Sequence, residues 1–296
     1  MKPLDSQSRV APKKIMLATD FSPASEAALP YALTIARHYS SELFVAYVIP
    51  PEFGDLIAPE RTPTIRQEAQ RVAQQNMERF LNAGRQRGVS CQPLIGEGAI
   101  WDVLQEMIYQ NGIDLIVLGT HGRRGLRKLL LGSVAEEVFR MAPCPVLTVG
   151  PKTSETPSMD VRLDHILYPL EFIPDTSDAA SYAVSLAEEY HAKLTSMKVF
   201  EETVPSSDVK ALVEEPFRHW MEDHIAIESD LRARTSFEPG FGPTAEAILK
   251  FASDRGVDLI VMGVQRLDPV MAAHLPKPDI AYEVVRTAPC PVLTVR

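Results

Sequence analysis

Gripping a phosphate takes a buried strand, a glycine-rich turn and the start of a helix, in that order along the chain. Gly119-Thr-His-Gly122-Arg-Arg-Gly-Leu-Arg-Lys-Leu-Leu-Leu-Gly132-Ser133 follows an apolar run and ends where a helical pattern begins. Glycines let backbone amides approach an anion closely, and a helix N-terminus adds unpaired N–H groups and positive dipole. Ser133 and Glu136 have capping-box spacing, which fixes the helix start independently of any ligand. Arg123, Arg124, Arg127 and Lys128 put four basic side chains in the loop, read first as a solvated face. His121 reads as solvent-facing rather than as a proton shuttle, and Ser133 has no evident base partner that would make it a nucleophile. Three nucleotide signatures are missing: the P-loop Gly-x4-Gly-Lys-Ser/Thr, a Gly-x-Gly-x-x-Gly after the first strand, and the kinase motifs His-Arg-Asp and Asp-Phe-Gly. What remains is Gly-x2-Gly-x9-Gly-Ser.

The elements that must position this loop come from short apolar runs alternating with longer amphipathic stretches. Ile15–Thr19, Leu43–Val48, Val89–Leu94, Leu115–Leu118 and Val146–Val149 read as strands buried on both faces. Ser25–Tyr39, Ile65–Arg87, Ala99–Gln110 and Ser133–Met141 read as helices, with Pro30 inside the first at a cost of about 3 kcal/mol. Strand–helix alternation predicts a parallel sheet covered by helices.

The pattern is written twice. Ala142-Pro-Cys-Pro-Val-Leu-Thr-Val149 recurs letter for letter as Ala288 to Val295. Gly112-Ile-Asp-Leu-Ile-Val-Leu-Gly119 recurs as Gly256-Val-Asp-Leu-Ile-Val-Met-Gly263, and Lys14-Ile-Met-Leu-Ala-Thr-Asp-Phe21 is echoed by His165-Ile-Leu-Tyr-Pro-Leu-Glu-Phe172. The expected organisation is two domains, 1–150 and 161–296, joined by a polar, proline-punctuated linker at 151–160. The final strands of the two copies are apolar, so they are expected to pair with each other and make the chain an internal pseudo-dimer; association into a further homodimer stays open.

Composition narrows the class. The 296 residues are 45% hydrophobic and 23% charged, ordinary for globular domains. No run approaches the roughly 20 apolar residues of a membrane helix, so no membrane insertion is expected. The N-terminal MKPLDSQSRVAPKK lacks the apolar core of a secretory signal. Three cysteines are too few for a disulfide framework and fit a reducing, cytoplasmic setting; Cys144 and Cys290 read as small packing residues with no metal-ligand spacing around them. His219 and His224 read as helix-surface residues. The net charge of −9 argues against nucleic acid as a partner. It is uneven: residues 1–150 hold 16 of the 30 Lys and Arg and 15 of the 39 Asp and Glu, so the first half is close to neutral and the second strongly acidic.

The loop spacing, Asp20 at the end of the first strand, and the Pro-x-Pro-Val final strand together resemble the nucleotide-binding branch of the universal stress protein family, in two tandem copies. The resemblance implies an α/β fold of two doubly wound domains. Each would be a five-stranded parallel sheet, Rossmann-like and of the adenine nucleotide alpha hydrolase type, with ligand at the point where strand order reverses. It implies ATP as ligand. Asp20, which also reads as a strand-end residue capping the next helix with Ser22, would accept hydrogen bonds from ribose hydroxyls. Val48 would line the adenine pocket with Thr19 nearby, Gly119 and Gly122 would leave room for ribose and phosphates, and Gly132, Ser133 and Val134 would bind phosphate oxygens. Mg²⁺ would accompany the phosphates, held largely by them and by water.

The second copy departs from this pattern. Asp20 becomes Glu171, Gly122 becomes Arg266, and Gly132-Ser133 becomes Pro278-Asp279, which removes a donor N–H and puts a carboxylate where phosphate would sit. One nucleotide per chain is therefore expected. Three functions stay open: an ATP-binding regulator in stress response, without catalysis as its evident purpose; a nucleotide-independent interaction module whose acidic second domain engages a protein; and a slow ATPase or phosphotransferase.

Overall fold

The computed structural model describes residues 10–50, 62–120, 131–150, 161–170, 177–200, 206–264 and 280–296. The chain divides into two compact units, one comprising Ala11–Val161 and the other Arg162–Arg296 together with Met1–Val10.

In the first unit the strands are β1 (Lys14–Ala18), β2 (Glu42–Ile49), β3 (Cys91–Glu97), β4 (Leu115–Gly119) and β5 (Val146–Val149). Between them lie the helices α1 (Pro23–Tyr39), α2 (Thr62–Gln86), α3 (Ile100–Asn111) and α4 (Ser133–Met141). The strands are parallel in the order β3-β2-β1-β4-β5. The chain thus builds outward from β1 on one side and returns to build on the other, reversing between β1 and β4. Ile15, Met16 and Leu17 of β1 are fully buried, as are the apolar residues of β2, β4 and β5, because helices cover both faces.

The strand β3 differs from expectation. It starts at Cys91 rather than Val89, and its residues are only partly covered or exposed. Val89 belongs instead to the end of α2. Gly88, in the left-handed region at φ 71°, donates its N–H to Arg85 O, and Val89 donates to Gly84 O at 3.0 Å, so the valine is the buried apolar residue that closes a Schellman motif.

The same device explains one of the repeated sequence blocks. Gly112 and Gly256 sit in the left-handed region at φ 64° and 59°, ending α3 and its counterpart in the second unit. Ile113 and Val257 follow as the buried apolar closers, bonded to Ile108 O and Ala252 O. Next comes an aspartate that ties strand starts together. Asp114 accepts from the N–H groups of Lys13 (2.8 Å) and Lys14 (3.1 Å), while Asp258 accepts from those of Asp164 (3.0 Å) and His165 (2.9 Å).

The second unit repeats the plan with β6 (His165–Pro169), β7 (Lys193–Phe200), β8 (Thr235–Phe241), β9 (Leu259–Gly263) and β10 (Val292–Val295) in the parallel order β8-β7-β6-β9-β10. Its helices are α5 (Ser177–Glu189), α6 (Ser206–His224), α7 (Leu231–Arg234), α8 (Thr244–Arg255) and α9 (Ile280–Thr287). One face carries a cluster of aromatic rings. Trp220 of α6 lies 5.8 Å from the Tyr168 ring and 6.0 Å from Phe217, centroid to centroid, and Phe217 lies 5.4 Å from Phe237. Ser196 sits in register between Tyr168 and Phe237, fully buried, and among the described residues its hydroxyl has no hydrogen-bond partner. Both His219 and His224 lie on α6; His219 is exposed, whereas His224 is half-buried and stacks on Trp220. Among the described residues no helix is long and apolar enough to cross a membrane.

Candidate functional site

The carboxyl ends of β1, β2 and β4 meet where the strand order reverses. Ala18 pairs with Ala46 on one side and with Leu118 on the other, and Thr19 extends the ladder by donating its N–H to Ala46 O at 2.9 Å. In an open α/β sheet such a reversal leaves a crevice beyond the strand ends, because the flanking connections diverge there.

Beyond Thr19 the chain turns tightly into α1. Phe21 adopts φ 57°, a left-handed conformation that costs a non-glycine residue on the order of 1–2 kcal/mol. Two observations account for it. The Phe21 N–H donates to Thr19 Oγ1 at 2.9 Å, and the Phe21 ring packs against Tyr47 (4.7 Å between centroids) and Phe80 (5.5 Å). The reversal aims the Ser22 N–H back at Asp20, whose Oδ1 accepts it at 3.0 Å. Ser22 is the N-cap of α1 and Pro23 follows it, a Ser-Pro pair that starts the helix two residues before the apolar periodicity does. The helix runs on through the buried Pro30, which has no N–H to offer the preceding turn.

Ser25 sits beneath this turn, almost completely buried. Its N–H donates to Ser22 Oγ (3.3 Å), its Oγ accepts from Thr19 Oγ1 (2.9 Å), and the same Oγ donates to Ser22 O (3.0 Å). Neither Phe21 nor Ser25 stood out in the sequence; the Ser-Pro pair ahead of Ser25 was the available signal for that helix start.

Gly119 closes β4 and pairs with Val149. A Cβ there would lie 2.5 Å from the Ala24 carbonyl oxygen and 3.0 Å from Ser25 N, so the missing side chain is what seats the first turn of α1 against the strand. Val48 lies near the end of β2, buried, and opposite Gly96 of β3.

The loop after β4 is anchored at both ends. Thr120 donates its N–H to Val149 O (3.0 Å), and its own carbonyl accepts from Gly132 N–H (2.8 Å). The tether makes Gly132 the N-cap of α4, in extended conformation and, among the described residues, with no side-chain cap. The capping-box reading of Ser133 and Glu136 is corrected by this. Ser133 enters the helix as its first residue, exposed, and Glu136 pairs with Arg140 at 3.0 Å instead. The Gly132 amide is therefore already engaged, and the first-turn N–H groups of Ser133 and Val134 are those that an uncapped helix start leaves for an outside acceptor. Gly122, His121 and the basic residues Arg123, Arg124, Arg127 and Lys128 lie outside the described residues.

The second unit keeps the frame and changes the lining. Val264 N–H bonds Val295 O as Thr120 bonds Val149 O, and Gly263 pairs with Val295. The position of Thr19 is taken by Leu170, whose N–H bonds Met197 O where Thr19 bonds Ala46 O. The hydroxyl is gone, and a buried methionine replaces the alanine; its Cε lies 2.3 Å from where a Gly240 Cβ would stand. Glu171, Arg266, Pro278 and Asp279 lie outside the described residues.

The thiols are held protonated by burial, which pushes Cys144 and Cys290 up to about 12, with Asp114 and Asp258 adding to the rise. Among the described residues no group of three His, Cys, Asp or Glu could hold a metal ion.

Comparison with known proteins is consistent across sequence and structure. The model of the universal stress protein family matches residues 12–150 and again residues 162–296. Universal stress protein MJ0531 of Methanocaldococcus jannaschii is 34% identical over 138 residues, covering 46% of this chain and 81% of that protein. The crystal structure of a universal stress protein from Archaeoglobus fulgidus matches with a TM-score of 0.68 at 20% identity, covering 96% of this chain and 98% of the other, a likeness of fold. A universal stress protein family member from Arabidopsis thaliana, solved with AMP bound, is 25% identical with a TM-score of 0.35 over 46% of this chain and 90% of its own.

Proposed function

The chain belongs to the universal stress protein family, and on that premise we propose that its first unit binds ATP and acts as a nucleotide-dependent regulator in stress response, with one site per chain. The observation that carries this reading is the start of α4. Among the described residues its first turn has no side-chain cap, and it begins beside Thr120, at the strand-order reversal where Asp20 follows β1, Val48 lies near the end of β2 and Gly119 closes β4. A helix start in that place suits a polyphosphate.

In this reading Asp20 accepts from the ribose hydroxyls and Val48 and Thr19 border the base. Gly119 and Gly122 leave room for ribose and phosphates, and the Ser133 and Val134 amides with the Ser133 hydroxyl hold phosphate oxygens. Gly132 contributes its extended conformation rather than its amide, which Thr120 already occupies. Mg²⁺ would ride on the phosphates and water. The second unit favours a silent site, since Leu170 and Met197 replace Thr19 and Ala46 and the sequence puts Pro278-Asp279 in place of Gly132-Ser133.

Calorimetric titration of ATP into the wild type, Asp20→Ala and Gly122→Arg tests this. Stoichiometry near one, lost in both variants, is expected; stoichiometry near two overturns the single site. The acidity of residues 151–296 favours a second reading, an interaction module for a protein partner. That reading takes over if the wild type has no affinity at millimolar nucleotide. A turnover assay with Mg²⁺ addresses slow hydrolysis.

A further inference from the structure

We propose that Ser25 is a positioning residue for the Asp20 carboxylate, acting through a relay of hydroxyl and amide hydrogen bonds that sets the site's selectivity for a ribose bearing free hydroxyls. The inference rests on the nucleotide reading above. Asp20 lies on a turn whose geometry is strained at Phe21 and so requires outside support. Thr19 Oγ1 supplies that support by accepting the Phe21 N–H, and Ser25 Oγ fixes Thr19 Oγ1 by accepting its proton at 2.9 Å. Ser25 also holds the other end of the turn, donating to Ser22 O from its hydroxyl and to Ser22 Oγ from its amide, while Ser22 N–H holds Asp20 Oδ1. A single buried hydroxyl thereby fixes the residues before and after Asp20. Being almost completely buried, Ser25 has no route to the ligand except through them.

The second unit provides an internal comparison. Where its carboxylate is one methylene longer, at Glu171, the relay's partners are also gone: Leu170 stands for Thr19 and, in the aligned sequence, Ile173 for Ser22. The position of Ser25 itself keeps a hydroxyl there, as Thr176. What is lost together with the short carboxylate is the pair of residues through which that hydroxyl would act, as expected if they serve it.

The test compares affinity for ATP with affinity for 2′,3′-dideoxy-ATP, which lacks both ribose hydroxyls. Ser25→Ala should weaken ATP about tenfold, the effect of one lost hydrogen bond, and leave the dideoxy analogue within about twofold. Combining it with Asp20→Ala should add nothing further. Ser25→Cys, nearly the same size but a poor acceptor, should behave as Ser25→Ala does, and Ser25→Thr, which keeps the hydroxyl, should retain wild-type selectivity; this pair carries the test should Ser25→Ala fail to fold. Equal losses for both nucleotides, or wild-type selectivity retained in Ser25→Ala, would overturn the relay while leaving ATP binding intact. Absence of ATP binding by the wild type would overturn both.

Discussion

Gly119 and Ala24 approach so closely that a methyl group on the glycine would stand 2.5 Å from the Ala24 carbonyl oxygen. The obstacle is backbone at the start of a helix, which cannot swing aside as a side-chain tip can. Gly119→Ala should therefore push α1 off the end of β4 and destabilise the fold by about 1–3 kcal/mol, read from urea denaturation. A change below 0.5 kcal/mol would mean that the helix start yields freely.

The buried hydroxyl of Ser196 makes the opposite case. It lies in register between Tyr168 and Phe237 and has no hydrogen-bond partner among the described residues, so its desolvation goes uncompensated there. Removing the oxygen alone, in Ser196→Ala, should raise stability by about 1 kcal/mol. A clear loss would show that the oxygen has a partner in solution.

Asp114 and Asp258 hold equivalent places, each accepting two backbone N–H groups at the start of the neighbouring strand. Asp114→Ala and Asp258→Ala should each cost about 1–2 kcal/mol, whereas Asn, which keeps one acceptor oxygen, should recover part of the loss. Thermal melts of the four variants give the comparison.

His165 is held below its ordinary value of 6.5, first by burial and then by the nearby Lys193 charge. The folded state thus disfavours the protonated ring, and the unfolded chain takes up the proton first as pH falls. Stability is complete above the unfolded value and declines as pH drops through about 6.5 toward the lowered folded value. His165→Gln should flatten that part of the stability–pH curve; an unchanged slope between pH 7 and pH 5 would refute the assignment.

Burial also sets the thiols. With Cys144 and Cys290 pushed up to about 12 and Cys91 to about 11, little thiolate exists at pH 8. A thiol reagent should label the native protein slowly and all three cysteines promptly in urea.

Much of this frame was legible in the sequence because it rests on local pattern. The apolar runs gave β1, β2, β4 and β5 to within about a residue, and the doubled blocks gave the two units. Errors arose where one residue type serves two purposes. Val89 has a strand's composition yet closes a helix, and its burial does not distinguish the roles. Ser133 and Glu136 have capping-box spacing, but the bond from Gly132 to Thr120 decides where the helix starts, and that bond joins residues on either side of a long loop. The Ser25 relay escaped for the same reason. A buried serine early in a helix looks ordinary until β1 and α1 are brought together in space.

The Thr120–Gly132 bond clamps the end of β4 to the start of α4, although eleven residues of sequence separate the two. Strand end and helix start are thereby one mechanical piece, so a displacement imposed on either is carried to the other without waiting for the intervening chain.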